Sequence, residues 1–490
     1  MSLTEKTLRS VKWEALSLLI KGTTQIAFLA ILARYLSPED FGLMAIITIT
    51  INFLNMLTEL GLGASLIQRK EINALHIRGA YTTTMLISLL FVVGLYCVAP
   101  IVADFFKAPK VVIYIRSISL IFPLFNLGTV SRSILHRKMK FKKMFWINFF
   151  SEACGYVPSG IIAAIFGLGV WSLIIALFTS IIINTTLSFL SAPHSLIPIL
   201  PKKEVSELLL FGTGLSLARF SLYFANYGDN LVVGRSMNVA TLGLYEPIFR
   251  IMAMPGQYLG TLLDRLLFPA MATIQGEHKK LESIYLKALS MINSILLPFS
   301  VIFILSSKEI VLLLLGSKWN AAILPLQILS LAIAFRTSVR ISDSVIRAVG
   351  AVYDTAARKA IYAIILIVAC WIGHFWGLPY VAVGVVVASF INYTLTIHLA
   401  FTLIKIKYFY FFSVLKTGLI LSAIALIVNI PFISLLRILI DIPSLILTTI
   451  IVYNIFAIIV MVYVLPWVFD NNLRWLSSKL FSQGRMNIFF

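Results

Sequence analysis

A column of charged side chains lies inside one of the apolar stretches of this sequence. Residues 335–350 read FRTSVRISDSVIRAVG and place Arg336, Arg340, Asp343 and Arg347 four, three and four residues apart. Side chains at this spacing share one face of an α-helix. The planar guanidinium group of arginine offers a fork of N–H donors that matches two oxygens of a phosphate or carboxylate. The spacing therefore predicts a helix face that binds an anion.

Other charged residues also fall inside apolar stretches. A charged side chain that faces lipid at the centre of a helix costs about 2.5–3.5 kcal/mol, so such residues are expected to face protein or a hydrated cavity. The cations deep in these stretches outnumber the acids, which favours a cavity with surplus positive charge. The candidate substrate-binding residues are Lys21, Arg219, Arg250, Arg336, Arg340 and Arg347, and the candidates for ion coupling or charge balance are Glu152, Glu246 and Asp343.

Local pairing is the main alternative to an anion site. Asp343 could neutralise Arg340 or Arg347 within one helix, and Glu246 stands four residues before Arg250, a spacing that allows an ion pair. Arg347 lies nearest the end of its apolar stretch and could extend its side chain to the membrane surface.

Glu152 is the candidate site for a coupling proton or sodium ion. It lies in the stretch SEACGYVPSG at residues 151–160. Gly155, Pro158 and Gly160 are expected to bend the helix there. An acid inside a membrane helix is by default a functional candidate.

The composition requires that membrane-spanning helices hold these side chains. Of 490 residues, 60% are hydrophobic and only 12% are charged, and the mean hydropathy is +0.96, whereas a soluble globule needs far more polar surface. Apolar stretches of about 20 residues recur, whereas barrel strands are near 10 residues and alternate in polarity. We therefore predict an all-α polytopic membrane protein of about fourteen transmembrane helices. The predicted spans cover residues 11–34, 41–67, 79–103, 111–131, 144–166, 168–191, 205–227, 242–268, 284–305, 321–348, 360–377, 379–403, 413–434 and 444–468.

The distribution of Lys and Arg sets the predicted orientation. These residues concentrate near the N-terminus, in alternate connections such as RSILHRKMKFKK (132–143), and in the C-terminal tail. The positive-inside rule then places both termini in the cytoplasm. Most of the net charge of +20 is explained by loops that face an anionic inner leaflet, so the sequence indicates no nucleic-acid partner.

An internal repeat is visible at a shift of about 200 residues. It lays RYLSPEDFGLM (34–44) on RSMNVATLGLY (235–245) and matches Arg, Gly and Leu. In both segments a span ends near an arginine, a short turn follows, and Gly-Leu opens the next span. Transporters often consist of two similar halves around a central site, so the repeat predicts two pseudo-symmetric lobes.

Catalytic and metal-binding motifs are absent from the sequence. It contains no HExxH, GxSxG or Walker A pattern. Cys97, Cys154 and Cys370 are far apart and form no CxxC pair. We expect no enzyme activity, no metal site and no cofactor.

Six blocks of sequence carry a family likeness. In chain order they are ARYLSPEDFG (33–42), ELGLGASLIQRKEI (59–72), RSILHRKMKFKK (132–143), GDNLVVGRSMNVATLGLYEPIFR (228–250), RLLFPAMATIQ (265–275) and LLLLGSKWNAAILPLQILSLA (312–332). Together they resemble the Wzx-type polysaccharide-lipid flippases, in the colanic-acid-exporter-like branch of the multidrug/oligosaccharidyl-lipid/polysaccharide exporter superfamily.

The resemblance implies a fold. We expect a V-shaped pair of six-helix lobes, at residues 1–200 (spans 1–6) and 201–403 (spans 7–12). Residues 404–490 would add spans 13 and 14 and a cytoplasmic tail.

The resemblance also implies a function. The family moves undecaprenyl-pyrophosphate-linked oligosaccharides, the repeat units of O-antigen or exopolysaccharide, from the inner to the outer leaflet of the bacterial inner (plasma) membrane. Transport by alternating access would draw on a proton or sodium gradient. Membrane lipids surround the protein, and a polysaccharide polymerase is a candidate partner.

Two other functions remain open at this point. A drug/cation antiporter of the same superfamily should have a net acidic cavity, whereas the apolar stretches here carry surplus cations. A membrane polysaccharide polymerase or glycosyltransferase generally needs a sizeable loop with catalytic residues, and the connections here are short.

Overall fold

The computed structural model describes residues 20, 22–58, 65–67, 69, 71–201 and 216–464. Within these ranges every regular element is a helix. Beside a short helical piece at 65–67, the α-helices are α1 (22–35), α2 (Pro38–Thr58), α3 (Ala74–Phe106), α4 (Val111–Ser119), α5 (Ile121–Leu127), α6 (Thr129–Arg137), α7 (Phe141–Phe150), α8 (Val157–Ile165), α9 (Trp171–Ser191), α10 (Ser216–Ser236), α11 (Val239–Thr273), α12 (His278–Leu305), α13 (Ser307–Leu314), α14 (Ile323–Ser330), α15 (Ala332–Ala348), α16 (Val352–Gly373), α17 (Leu378–Ile404), α18 (Phe409–Leu439) and α19 (Pro443–Val464). A π-helix at Ser151–Tyr156 joins α7 to α8, and 3₁₀-helices occupy Ser317–Ala322 and His374–Trp376.

Seven helices in the described ranges are long and apolar enough to cross a membrane, and a bent pair would make eight. A helix can span lipid because it satisfies its own backbone hydrogen bonds. The prediction of an all-helical, multi-pass membrane protein is therefore confirmed. The seven are Ala74–Phe106, Val111–Arg137, Trp171–Ser191, His278–Leu305, Asp354–Trp376, Leu378–Ile404 and Phe409–Leu439.

The bent pair lies where the sequence predicted one continuous span at 321–348. The helices at Ser317–Ser330 and Ala332–Ala348 meet at 43°. Ser330 lies in the last turn before the break, and its hydroxyl donates to the carbonyl of Leu326 at 2.6 Å. Side-chain bonds to a carbonyl one turn earlier are found where helices bend. The bend sets the direction of α15, the helix that carries Arg336, Arg340 and Arg347.

Packing divides the chain into two compact units, Met1–Pro247 and Ile248–Phe490, with the division inside α11. The predicted lobes at 1–200 and 201–403 rest on a sequence repeat and a family resemblance, which are different criteria from packing. The assignment of lobes therefore stays a prediction.

In the first unit, the repeated segments make a reciprocal contact. A Cβ on Gly42 would overlap the carbonyl of Val239, and a Cβ on Gly243 would overlap the carbonyl of Pro38. The repeat pairs Gly42 with Gly243 and Pro38 with Val239. The contact of Gly42 with Val239 and the contact of Gly243 with Pro38 are therefore equivalent under the repeat. Such reciprocity is expected of two copies of one motif about a twofold axis. Only glycine permits so close an approach of the two backbones.

The same two helices begin with equivalent caps. The hydroxyl of Ser37 accepts a hydrogen bond from the backbone N–H of Asp40 at 3.2 Å, ahead of α2. The side chain of Asn238 accepts from the backbone N–H of Thr241 at 2.7 Å, ahead of α11. An N-cap side chain satisfies a donor that the first turn leaves unpaired. The repeat therefore preserves how each helix starts, and not only the glycine that follows.

In the second unit, a buried polar network joins α12, α15 and α17. The Tyr285 and Ser342 hydroxyls are 2.8 Å apart, and Ser338 donates to the side-chain carbonyl of Asn293 at 2.8 Å. The Asn293 amide reaches the hydroxyl of Tyr393 at 3.5 Å. Polar side chains join helices in lipid by such bonds, because an unpaired polar group there is costly. The network fixes which face of α15 points into the unit and leaves its arginines on another face.

Within the first unit, the segment 192–201 packs against neighbouring helices through His194. The carbonyl of Ala192 accepts from the hydroxyl of Ser131 at 3.0 Å, and Nδ1 of His194 lies 3.1 Å from that hydroxyl. The ring packs edge-on against Tyr81 and Phe189, and its Nε2 is buried with no hydrogen-bond partner among the described residues. Burial lowers the pKa of His194 below its ordinary value, because it disfavours the charged form.

We predict that acid loosens this segment. A depressed pKa means that the folded protein holds fewer protons than the unfolded chain, so stability falls as the pH drops through about 6.5. The midpoint temperature of unfolding of the detergent-solubilised protein should be lower at about pH 5.5 than at about pH 7.5. This decrease should be smaller in His194→Gln. His278→Gln is the matched control, since His278 is exposed. Equal pH dependence in the wild type and His194→Gln would contradict the prediction.

Candidate functional site

The charged face of α15 gathers four ionisable side chains on one helix of the second unit. We call it the arginine face, formed by Arg336, Arg340, Asp343 and Arg347. The structure therefore brings these four predicted site residues together on one helix, as their spacing indicated. Neighbouring helices α11 and α16 supply the groups that these side chains contact.

Arg336 is half-buried between α11 and α16. Its guanidinium donates to the hydroxyl of Tyr362 at 3.0 Å, and its Cζ lies 5.0 Å from the centre of the Phe249 ring. A cation over an aromatic ring is held by the ring quadrupole. Both contacts orient the guanidinium.

Arg340 lies against two glycines of α11. A Cβ on Gly260 would occupy the space of the Arg340 side-chain methylenes, and a Cβ on Gly256 would lie 2.7 Å from the hydroxyl of Thr337. Small residues four apart let two membrane helices approach closely. Gly256 and Gly260 form such a pair, and their groove holds the stem of Arg340.

The guanidinium of Arg340 makes no hydrogen bond or ion pair with any residue that the structure describes. Asp264 and Asp343 lie close enough to attract it, and Arg336 lies close enough to repel it. Arg340 is thus a partly buried cation with its N–H donors still available. A phosphate has the charge and the oxygen spacing to accept them.

Arg347 pairs with an acid from another helix. Its guanidinium lies 2.6 Å from a carboxylate oxygen of Asp264, which also accepts a short hydrogen bond from Ser344. Its Cζ lies 5.5 Å from the ring centre of Phe268. The side chain is 40% exposed. The neutralising partner of Arg347 is therefore on α11.

Asp343 pairs with Lys359 of α16, with 2.8 Å between nitrogen and oxygen. The pairing of Asp343 with Arg340 or Arg347 along one helix is therefore wrong. The contact of Arg347 with Asp343 is a hydrogen bond to the backbone carbonyl, at 3.2 Å, and does not involve the carboxylate. The physical reason is reach: a long lysine on the facing helix approaches the carboxylate more directly than a neighbour one turn away. Sequence reasoning missed Lys359 because it was assigned to a connection between spans.

The remaining candidates lie elsewhere. Arg250 is exposed and Glu246 is half-buried, both on α11. Lys21 lies outside the described residues, as does the side chain of Arg219, whose backbone belongs to α10.

The first unit contains a cavity of about 400 Å³ lined by both polar and apolar side chains. We call it the Arg132 cavity. Its wall includes Glu152, which the sequence had singled out, together with amides, hydroxyls and phenylalanine rings. The lining residues are Ile20, Thr24, Phe125, Arg132, Phe145, Asn148, Phe149, Ser151, Glu152, Ala153, Ser180, Ile181, Asn184 and Thr185.

Arg132 is the cation among the described residues that line this cavity. Its guanidinium donates to the carbonyl of Phe125 at 2.5 Å, to the hydroxyl of Thr129 at 2.9 Å and to the side-chain carbonyl of Asn184 at 3.4 Å. Its Cζ also lies 4.0 Å from the centre of the Phe125 ring. All these partners are neutral, so they hold the guanidinium in position and leave its charge in place.

Sequence reasoning assigned Arg132 to a cytoplasmic connection. The structure instead continues the helical span to Arg137, six residues beyond the predicted end at 131. The polar pattern of RSILHRKMKFKK hid this, because a basic run beside a span is the usual signal of a loop. The helical spacing of Phe125 and Arg132, two turns apart on one face, could have revealed it.

Glu152 lies in the π-helix Ser151–Tyr156, where the sequence predicted a bend. A π-helix inserts one residue into a turn and turns the side chains that follow, and it is found often at functional sites. Among the described residues, no group of three or more acidic, histidine or cysteine side chains could hold a metal ion.

Comparisons with known proteins agree with this architecture. The model of the polysaccharide biosynthesis protein family matches residues 31–324. The lipopolysaccharide biosynthesis protein WzxC of Escherichia coli (strain K12) is 26% identical over 336 residues, which are 67% of this chain and 67% of that protein. The succinoglycan biosynthesis transport protein ExoT of Rhizobium meliloti (strain 1021) is 28% identical over 320 residues, 64% of this chain and 63% of that protein.

A solved structure shares the fold. The lipid II flippase MurJ in its inward closed conformation aligns with a TM-score of 0.67 at 16% identity, over 91% of this chain and 99% of that one. At such identity the likeness shows the fold alone. The family match covers more than half of the 490 residues and spans most of the blocks that suggested the Wzx-type flippases. The chain therefore belongs to the polysaccharide biosynthesis protein family.

Proposed function

We propose that the protein moves undecaprenyl-pyrophosphate-linked oligosaccharides, the repeat units of O-antigen or exopolysaccharide, from the inner to the outer leaflet of the bacterial inner membrane. Relatives named for lipopolysaccharide biosynthesis and for succinoglycan transport support a cargo of this class. The observation that carries the proposal is the guanidinium of Arg340, held in a glycine groove with no ion pair among the described residues.

The arginine face suits a pyrophosphate for a physical reason. A guanidinium that faced hydrocarbon would be costly, so the arginines must face protein or water. Two of the four cations near this face, Arg347 and Lys359, are neutralised by Asp264 and Asp343. The charge of Arg340 is left for a ligand, and two phosphate oxygens can accept its fork of donors.

In the proposed mechanism, the pyrophosphate-linked head group enters a central cavity from the cytosol and the polyprenyl tail stays in lipid. Two six-helix lobes then rock to open this central cavity outward. The proposal includes about fourteen spans with both termini in the cytoplasm. Lys21, Arg219 and Arg250 would complete the cationic site. Glu152 or Glu246 would couple transport to a proton or sodium gradient, and a polysaccharide polymerase would receive the product.

The drug/cation antiporter is the second candidate of this fold. It requires an acidic cavity for cationic cargo. Arg340 instead places a cation without an ion pair among the described residues at the arginine face. The relatives are named for biosynthesis and transport of polysaccharides, which agrees with the prediction that the chain is not an enzyme.

We predict that Arg340→Ala lowers export about tenfold or more, because a charge-assisted hydrogen bond contributes roughly 1.5–3 kcal/mol. Arg340→Lys should recover only part of the activity, since an ammonium lacks the planar fork. The assay is liposome reconstitution with a lipid-linked oligosaccharide, scored by its appearance in the opposite leaflet with and without an ion gradient.

Arg116→Ala is the matched control for this variant. Arg116 also lies in a membrane helix, but it stacks on Tyr96 at 4.0 Å and is far from the arginine face in sequence. Its replacement should leave transport within about twofold of the wild type. Equal transport by Arg340→Ala and Arg116→Ala would remove the basis of the proposed site.

We predict that Gly260→Ala also impairs transport, although it changes no charge. The added methyl would occupy the space of the Arg340 side chain and push its guanidinium from position. Gly256→Ala disturbs the same helix contact at Thr337 without touching an arginine, and Gly94→Ala meets nothing within 4 Å. Transport should fall in the order Gly94→Ala, Gly256→Ala, Gly260→Ala, at matched protein levels. Full transport by Gly260→Ala would show that the position of Arg340 does not matter.

A further inference from the structure

We infer that the Arg132 cavity binds a sugar ring of the transported glycan. It would thus be a carbohydrate subsite, distinct from the arginine face that takes the pyrophosphate. This inference rests on the proposed function and adds to it a place where the glycan itself is recognised. Its volume of about 400 Å³ falls in the range of about 300–1,000 Å³ that is typical of small-molecule sites.

The wall offers an apolar side and a polar side. Phe125, Phe145 and Phe149 supply aromatic surface, and the last two are stacked with ring centres 6.2 Å apart. A pyranose ring presents C–H groups on its faces and hydroxyls around its edge. It therefore needs aromatic surface against a face and hydrogen-bonding groups at the edge, which this wall combines.

The amides form the hydrogen-bonding side. Asn184 donates to the side-chain carbonyl of Asn148 at 3.1 Å and to the hydroxyl of Ser151 at 3.4 Å, while its own carbonyl accepts from Arg132. This chain fixes the orientation of each amide. It leaves the N–H donors of Asn148 without an acceptor among the described residues, at the wall of the cavity.

Two hydroxyls add to these donors. Thr24 of α1 and Ser180 of α9 line the cavity, and neither hydroxyl makes a hydrogen bond with a described residue. A hydroxyl can both donate and accept, which suits sugar hydroxyls of either role. Available groups therefore come from three different helices around one cavity.

Part of the cavity wall is a π-helix instead of an α-helix. This π-helix, Ser151–Tyr156, carries the lining residues Ser151, Glu152 and Ala153. Close packing at Gly155, where a Cβ would lie 3.2 Å from the backbone of Ser180, holds this turn against α9. A local departure from α-geometry, fixed by packing, is a common feature of binding sites.

Other ligands fit the cavity less well. An acyl chain needs no amides, and a single inorganic ion needs neither this volume nor three aromatic rings. A cationic drug would need a surplus of acidic groups, whereas the described lining has one acid, Glu152, beside one cation, Arg132. A sugar uses the aromatic surface, the amides and the hydroxyls together.

The test compares two probes on the purified full-length protein in nanodiscs. One is undecaprenyl-pyrophosphate-linked oligosaccharide extracted from the producing bacterium, and the other is undecaprenyl pyrophosphate without sugar. Binding is measured by calorimetry for the wild type, Asn148→Ala, Thr24→Leu and the control Thr186→Ala. Thr186 is exposed on α9 and does not line the cavity.

The wild type should bind the sugar-bearing probe more tightly. Asn148→Ala should weaken that binding about three- to tenfold, as expected for one hydrogen bond, and leave the sugar-free probe unchanged. Thr24→Leu should act likewise by narrowing the cavity, which keeps the test valid if Asn148→Ala does not fold. Thr186→Ala should match the wild type for both probes.

The outcomes separate this inference from the proposed function. If both cavity variants bind the sugar-bearing probe as the wild type does, or if the wild type does not distinguish the probes, the subsite is overturned while the flippase proposal stands. If the wild type binds neither probe, the proposed function fails as well. Equal weakening for both probes would place the cavity with the pyrophosphate and overturn the sugar subsite.

Discussion

The cost of a charged group in hydrocarbon is the constraint on which the second unit depends. A helix with three arginines, such as α15, can lie in a membrane only if its charged face meets protein or water. The network of Tyr285, Ser342, Ser338 and Asn293 fixes the opposite side of the helix inside the unit. Once that side is fixed, the arginines must face the groove made by α11 and α16. The site is therefore a consequence of how the rest of the helix is held.

Close approach by small residues is the second constraint, and it acts in both units. Gly256 and Gly260 make room for Thr337 and for the stem of Arg340, so that a bulky cation fits between two packed helices. Gly42 and Gly243 allow two helix starts to meet backbone to backbone. Helices in lipid gain little from burying apolar surface, so van der Waals contact at small residues contributes much of their association. Glycine thus permits backbone contact in the first unit and makes room for a cationic side chain in the second.

The cations described above differ in whether their partners are acidic or neutral. Arg347 meets a carboxylate, and Lys359 meets another. Arg132 meets two carbonyl oxygens, a hydroxyl and a ring, which orient the guanidinium and leave its charge available. In lipid this difference is large, because an uncompensated cation attracts an anion strongly where water is scarce. Arg132 in the first unit and Arg340 in the second are both cations without an ion pair among the described residues.

The sequence by itself determined the class of fold and the residues of the arginine face. Composition and the length of the apolar stretches leave only membrane helices, and a spacing of three and four residues fixes which side chains share a helix face. The repeat also identifies Gly42 and Gly243 as equivalent positions. Only the tertiary structure decided that Asp343 pairs with Lys359, that α15 starts at a bend, and that Arg132 belongs to a cavity. The reason is that periodicity orders side chains along one helix, whereas ion pairs, bends and cavities depend on which helices lie side by side, and that is set by packing between residues far apart in the chain.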